Sequence, residues 1–160
     1  MNIMFFLTPK KDVFYLYEDY TLREVLEKME NNRYFAVPLI NRDGQYLGTV
    51  TEGDILWFIK NYHSNPENAE HTPIGSVIRY VDYSPAQADT EIGDLFEIML
   101  EQSFVPVIDD RGVFIGIITR KNIISFCYNR YFSSSNNKSL PSSQEVRNLK
   151  TALVALYNPV

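Results

Sequence analysis

The chain has few of the residues on which covalent or redox chemistry depends. Its 160 residues include one cysteine, two histidines and one tryptophan. A single thiol cannot close an internal disulfide or build a cysteine-rich zinc site, and the composition suits a reducing compartment such as the cytoplasm. His63 and His71 both fall in a polar stretch with no carboxylate or cysteine at metal-ligand spacing around them, so no metal site is expected. Positive charge is in deficit: 15 Lys and Arg against 20 Asp and Glu give a net charge of −5. That balance argues against a general nucleic-acid binder. Apolar runs fall well short of the ~20 residues needed to cross a bilayer. The apolar start, Ile3 to Leu7, lacks the basic lead and small-residue cleavage pattern of a signal peptide. It reads as a strand or clamp on the core, or as a partner-facing patch. No Ser-His-Asp order, nucleophile elbow or phosphate-loop lysine is present, so an enzyme is not expected.

What the chain does have is an internal repeat. Residues 37–62 align without gaps to 105–130 at an offset of 68, with nine of 26 pairs identical. The identical pairs include Val37/Val105, Pro38/Pro106, Gly48/Gly116, Thr51/Thr119 and Phe58/Phe126. Upstream, Leu22, Val25, Leu26 and Met29 pair with Ile92, Leu95, Phe96 and Met99 at an offset of 70. Each set follows the i, i+3, i+4, i+7 spacing of an apolar helical stripe.

Each unit therefore reads as strand, helix, strand, turn, strand, helix. In unit one these are Val13–Tyr17, a helix capped by Thr21, Phe35–Ile40, a turn at Gly44, Tyr46–Val50 and Glu52–Tyr62. In unit two they are a strand near Pro85–Ala88, Ile92–Gln102, Val105–Ile108, a turn at Gly112, Val113–Ile118 and Arg120–Tyr131. The expected division is 8–62 for unit one, 63–73 for a linker, 74–131 for unit two, 132–144 for a flexible stretch and 145–160 for a C-terminal helix. A unit of this size is marginal alone, so the two are expected to pack face to face around one core, with pseudo-twofold symmetry and related clefts. Cys127 falls on the core face as an inert thiol. Trp57 lies off the core stripe and suggests a dimer contact.

The strand-to-helix junctions concentrate the chemistry. Thr51-Glu52-Gly53-Asp54 and Thr119-Arg120-Lys121-Asn122 place a hydroxyl at a helix start and Asp or Asn three residues on. One reading is a helix cap. The other is a ligand site, where the helix N-terminus receives phosphate and the acid takes ribose hydroxyls. Gly48 and Gly116 would then leave room for a flat ring. Arg120 and Lys121 suit phosphate, whereas Glu52 and Gly53 do not, so two unequal clefts are expected, with phosphates in that of unit two. Arg79, before the first strand of unit two, is a surface charge or a phosphate contact; Lys10 and Lys11 carry the same alternatives.

These two segments, from Tyr34 to Ile55 and from Phe104 to Ile123, resemble a tandem pair of CBS domains, the Bateman module. The resemblance covers roughly residues 8–131 and implies an α/β (α+β) fold of two β-α-β-β-α units packed with pseudo-twofold symmetry. It further implies clefts for adenosine ligands such as AMP, ADP, ATP, S-adenosylmethionine or cyclic di-AMP, a regulatory role and module dimerisation through helices. Carried over by position, Asp54 matches the ribose-binding acid, and Thr51 and Thr119 match contacts to phosphate or ribose. Tyr34, Ala36, Val37 and Pro38, with Phe104, Val105 and Pro106, match the segments that cradle adenine. Asn122 departs from the pattern by replacing the acid. The expectation is a homodimeric sensor that binds an adenine nucleotide as a regulatory ligand, requires no cofactor and signals to an effector protein that the sequence does not name. The alternative is a dimeric scaffold with vestigial clefts. Neither nucleic acid nor membrane is expected as a partner.

Overall fold

A computed structural model describes residues 2–61, 69–81 and 83–132. The helix expected over 145–160, the stretch 133–144, and His63 lie outside these residues. The strands and α-helices follow the repeat. Unit one contributes β2 (Leu16–Tyr17), α1 (Leu22–Asn32), β3 (Ala36–Ile40), β4 (Tyr46–Thr51) and α2 (Glu52–Asn61). Unit two contributes β5 (Ala86–Gln87), α3 (Ile92–Glu101), β6 (Phe104–Ile108), β7 (Phe114–Thr119) and α4 (Arg120–Phe132). The short strand β1 (Thr8–Pro9) precedes both units. This is a mixed α+β fold, and the first strand of each unit is shorter than its sequence suggests.

In each unit the first strand runs parallel to the second, which forms a hairpin with the third; β1 adds antiparallel to β7. Val37 pairs with Val50 in β3–β4, and Val105 with Ile118 in β6–β7. The hairpin turns require left-handed backbone at Gly44 (φ 84°) and Gly112 (φ 78°), conformations that a side chain disfavours. The N–H of Tyr46 donates to Gly112 O at 3.0 Å and that of Phe114 to Gly44 O at 2.9 Å. The hairpin tips thereby join the two units in one antiparallel seam, and the Tyr46 and Phe114 rings stack across it at 6.3 Å.

The expected single core is instead two. One cluster holds Leu16, Leu22, Val25, Val37, Leu39, Val50 and Ile55; the other holds Ala86, Ile92, Leu95, Val105, Val107, Ile118 and Ile123. Each sheet has its own helices on one face, so its apolar residues are buried within the unit. The entry segments cross over. Ile3 and Phe6, on a 3₁₀ turn, are buried in the unit-two core. Ile74 and Val77, around a second 3₁₀ turn, are buried in the unit-one core. Residues 74–77, expected in unit two, therefore complete unit one, and the apolar start completes unit two as a clamp.

Part of the expected linker is also structured. Ala69 is buried in the first core. Leu22 N–H donates to Thr72 O at 2.9 Å and Ile74 N–H to Tyr20 O at 2.8 Å.

Candidate functional site

Away from the hairpin tips, the seam between the two units opens into a cavity of about 310 Å³, at the low end of the ~300–1,000 Å³ range of small-molecule sites. Its floor comes from the starts of β3 and β6. Tyr34, Phe35, Ala36 and Pro38 approach from unit one, and Ser103 and Phe104 from unit two. Ile117 and Thr119 of β7 close one side, and Thr8, Asp12, Val13 and Phe14 of the entry segment close another. Phe14 and Tyr34 stack at 5.5 Å with ring planes 21° apart. Phe35, also on this cavity, is 78% exposed. Flat apolar walls and a few hydroxyls suit a planar heterocycle carrying a polar substituent.

Tyr34, Ala36, Pro38, Phe104 and Thr119, all singled out by the sequence, meet at this cavity. Val37 and Val105 do not. Alternation along β3 and β6 turns them into the two cores. Pro106 is buried on β6, opposite Ile117.

The other junction is closed on itself. Asp54 is 2% exposed, and the chain supplies three hydrogen bonds to its carboxylate. Its Oδ2 accepts from Thr51 N at 2.9 Å and Thr51 Oγ1 at 2.8 Å, while Thr51 Oγ1 accepts from Asp54 N at 3.1 Å. This reciprocal pair is a capping box at the start of α2. The remaining oxygen, Oδ1, accepts from Tyr80 N at 2.9 Å. Arg79 lies across Gly48, where an added Cβ would stand 2.8 Å from Nε, and its guanidinium donates to Leu47 O at 3.3 Å. The space left by Gly48 is thus filled by the chain's own arginine rather than by an open approach for a ring. At Gly116 the same space is filled by the backbone of Thr8, with which an added Cβ would collide.

Unit two differs at each of these positions. Buried Ile3 and Phe6 correspond to Ile74 and Val77, which sets Thr8 against Arg79 and Pro9 against Tyr80. Pro9 has no N–H to offer. Asn122, in the place of the acid, is exposed; its N–H donates to Thr119 Oγ1 at 3.1 Å and its Nδ2 lies 3.4 Å from Thr8 Oγ1.

Arg120 departs from the expected phosphate contact. Its Nη2 donates to Gln102 O at 2.8 Å and Leu100 O at 3.4 Å, and the side chain lines a groove between α3 and α4. The carbonyls ending α3 attract the cation. The Arg120 N–H is likewise taken by Ser103 O, at 3.0 Å. Two N–H groups that would receive a phosphate at this helix start, those of Arg120 and Asn122, are already bonded. Lys121 is exposed on the first turn of α4.

Five cavity residues, Thr8, Asp12, Val13, Phe14 and Ile117, are missing from the sequence-derived set. For Thr8 and Asp12 the signal available was position: they precede the first strand of unit one as Arg79 precedes that of unit two. Among the described residues, no cluster of three or more His, Cys, Asp or Glu could hold a metal ion, and no helix is long and apolar enough to cross a membrane.

Two βαββα units joined at their hairpins, with a ligand-sized cavity at the seam, define a tandem-repeat binding module. The CBS domain model matches residues 6–61 and 82–129, and the chain belongs to the CBS domain family as a tandem pair. An uncharacterized protein of Methanocaldococcus jannaschii is 24% identical over 152 residues, covering 77% of this chain and 90% of that protein. Two further curated relatives are longer, and the chain spans 52% and 61% of their lengths. Among solved structures, Listeria monocytogenes CbpB in complex with c-di-AMP superposes with a TM-score of 0.71 at 19% identity, covering 81% of this chain and 96% of that one. CBSX2 in complex with AMP gives 0.67 at 20% identity, covering 81% and 97%. At these identities the likeness is one of fold.

Proposed function

We propose that this protein is a regulatory module that binds an adenine nucleotide in the seam cavity, with one site per chain. The observation that carries the reading is the cavity itself: aromatic walls at Phe14, Tyr34 and Phe104, with the Thr8 and Thr119 hydroxyls at its edge. The two solved relatives, complexes with c-di-AMP and AMP, support adenine as the heterocycle. The nucleoside occupies the cavity between the units. Its phosphates point outward, because Arg120 is committed to the end of α3.

The unit-one junction takes no ligand in this reading, since Asp54, Arg79 and Tyr80 complete one another. Occupancy of the seam stabilises one relative arrangement of the units and changes the surface offered to an effector protein. CBS domains generally regulate rather than catalyse.

Self-association through the helices is part of the proposal. Leu26, Met29, Ile55, Leu56 and Ile59 line a groove between α1 and α2, and Phe96, Met99, Leu100, Ile123 and Ile124 line its counterpart between α3 and α4. Leu56, Trp57, Leu100 and Ile124 are exposed. Apolar surface on matching faces of both units favours a second copy of the chain. This is also the observation behind a scaffold reading.

A thermal-shift panel separates the two readings. Any of AMP, ADP, ATP or c-di-AMP at ~100 times its dissociation constant would stabilise the fold by about 2.7 kcal/mol. A raised Tm with at least one of them is the expected result. No shift with any of them would favour a dimeric scaffold.

A further inference from the structure

Asp12 has no part in the junction motifs, yet it lies on the seam cavity. It ends the 3₁₀ turn Lys10–Asp12 that leads from β1 toward β2. Among the described residues lining that cavity, it is the one that carries charge. Thr8 lines the same cavity, and its Oγ1 lies 3.4 Å from Asn122 Nδ2. The lining therefore offers a carboxylate acceptor and two hydroxyls (Thr8 and Thr119), with an amide donor bonded to one of them, Thr8.

That set matches a vicinal diol. Each sugar hydroxyl can donate to a carboxylate and accept from an amide or hydroxyl. Hydrogen bonds to a charged acceptor are the stronger kind. In unit one the corresponding carboxylate, Asp54, accepts three hydrogen bonds from Thr51 and Tyr80. In unit two the residue at that position is neutral, and the carboxylate comes instead from the entry segment.

We propose that Asp12 is the sugar-recognising carboxylate of the seam cavity, working beside the Asn122 amide and selecting ribonucleosides over their deoxy counterparts. This rests on the adenine-nucleotide reading of the cavity. With no cationic lining residue among those described, the same carboxylate disfavours a phosphate inside the cavity and fixes the orientation, with sugar at the Asp12 edge and phosphate outside.

Calorimetric titration of the full chain and its Asp12→Asn variant with AMP and with 2′-deoxy-AMP tests the assignment. Asp12 is exposed and Asn is isosteric, so the variant keeps the fold, which its circular dichroism and Tm verify. The wild type is expected to prefer AMP by at least about tenfold. In Asp12→Asn the preference falls to near unity, chiefly through weaker AMP binding. If the wild type binds AMP but shows no preference, or the variant keeps the preference, the assignment to Asp12 is overturned while the adenine reading stands. If the wild type binds neither compound, both are overturned.

Discussion

At the first turn of α2, Asp54 accepts three hydrogen bonds while almost wholly shielded from water. Removing it would strand the N–H groups of Thr51 and Tyr80, and stranded buried donors cost about 1–3 kcal/mol. Asp54→Ala is therefore expected to lose about that much in urea unfolding. Asn122→Ala, at the matching exposed position, is expected to stay within about 0.5 kcal/mol of wild type. Equal losses would contradict the asymmetry. The glycines differ in the same direction. Both Gly48 (φ 146°) and Gly116 (φ 156°) hold backbone unfavourable to a side chain. At Gly48 an added methyl meets the flexible end of Arg79; at Gly116 it meets the Thr8 backbone. Gly116→Ala is expected to be the more damaging substitution, by about 1 kcal/mol or more, when the two Tm values are compared. The sequence showed the Thr-x-x-Asp and Thr-x-x-Asn pair and its two interpretations. It did not show that one site supplies its own N–H donor through Tyr80 while the other meets Pro9, because that depends on a contact between residues 26 apart.

Among the elements, the helices and hairpins were legible because their periods are local. The paired stripes predicted α1 and α3, and the turn glycines predicted both hairpins. The crossover of the entry segments was not legible, since Ile3, Phe6, Ile74 and Val77 look alike as short apolar runs and only the tertiary fold decides which core each one fills. The contact that Arg120 makes was not legible for a similar reason: nothing near it in sequence announces the carbonyls ending α3. The crossover makes the first residues part of the unit-two core. Ile3 is 0% exposed, so Ile3→Ala is expected to cost about 2–5 kcal/mol despite its terminal place. A loss under about 1 kcal/mol in equilibrium unfolding would contradict this packing.

In the unit-two hairpin a carboxylate accepts the backbone N–H groups of the turn, which gives that turn a pH dependence. Asp109 accepts from Val113 N at 2.8 Å and Arg111 N at 2.9 Å. These backbone bonds, foremost that from Val113, with Arg111 adding its own charge, hold the carboxyl below its usual range. A lowered folded value stabilises the protein above the ordinary carboxylate pKa of ~4, and the contribution is lost as pH falls through the folded value. In unit one Asn41 accepts from Gln45 N in the equivalent turn and does not titrate there. Amide exchange measured between pH 5 and pH 3 should therefore loosen the unit-two turn more than the unit-one turn, and Asp109→Asn should remove the difference. Persistence of the difference in that variant would rule out Asp109 as its cause.

Across the whole molecule, the two units are alike in frame and unlike in their clefts. Each keeps its own core, and the hairpin tips and exchanged entry segments hold them together. Motion of one unit against the other is then limited by the seam, and a ligand lodged there bears on both at once. The net charge of −5 obscured this arrangement. The charges that looked suited to phosphate are divided among a helix end, a glycine surface and solvent, and the cavity itself is aromatic with one carboxylate. The most direct test of the account is the calorimetric stoichiometry of AMP or c-di-AMP binding, compared with Ala36→Phe, which fills the cavity, and Asp54→Asn, which alters only the closed junction. The account predicts one nucleoside site per chain, lost in Ala36→Phe and retained in Asp54→Asn. Two equivalent sites, or binding untouched by Ala36→Phe and abolished by Asp54→Asn, would contradict it.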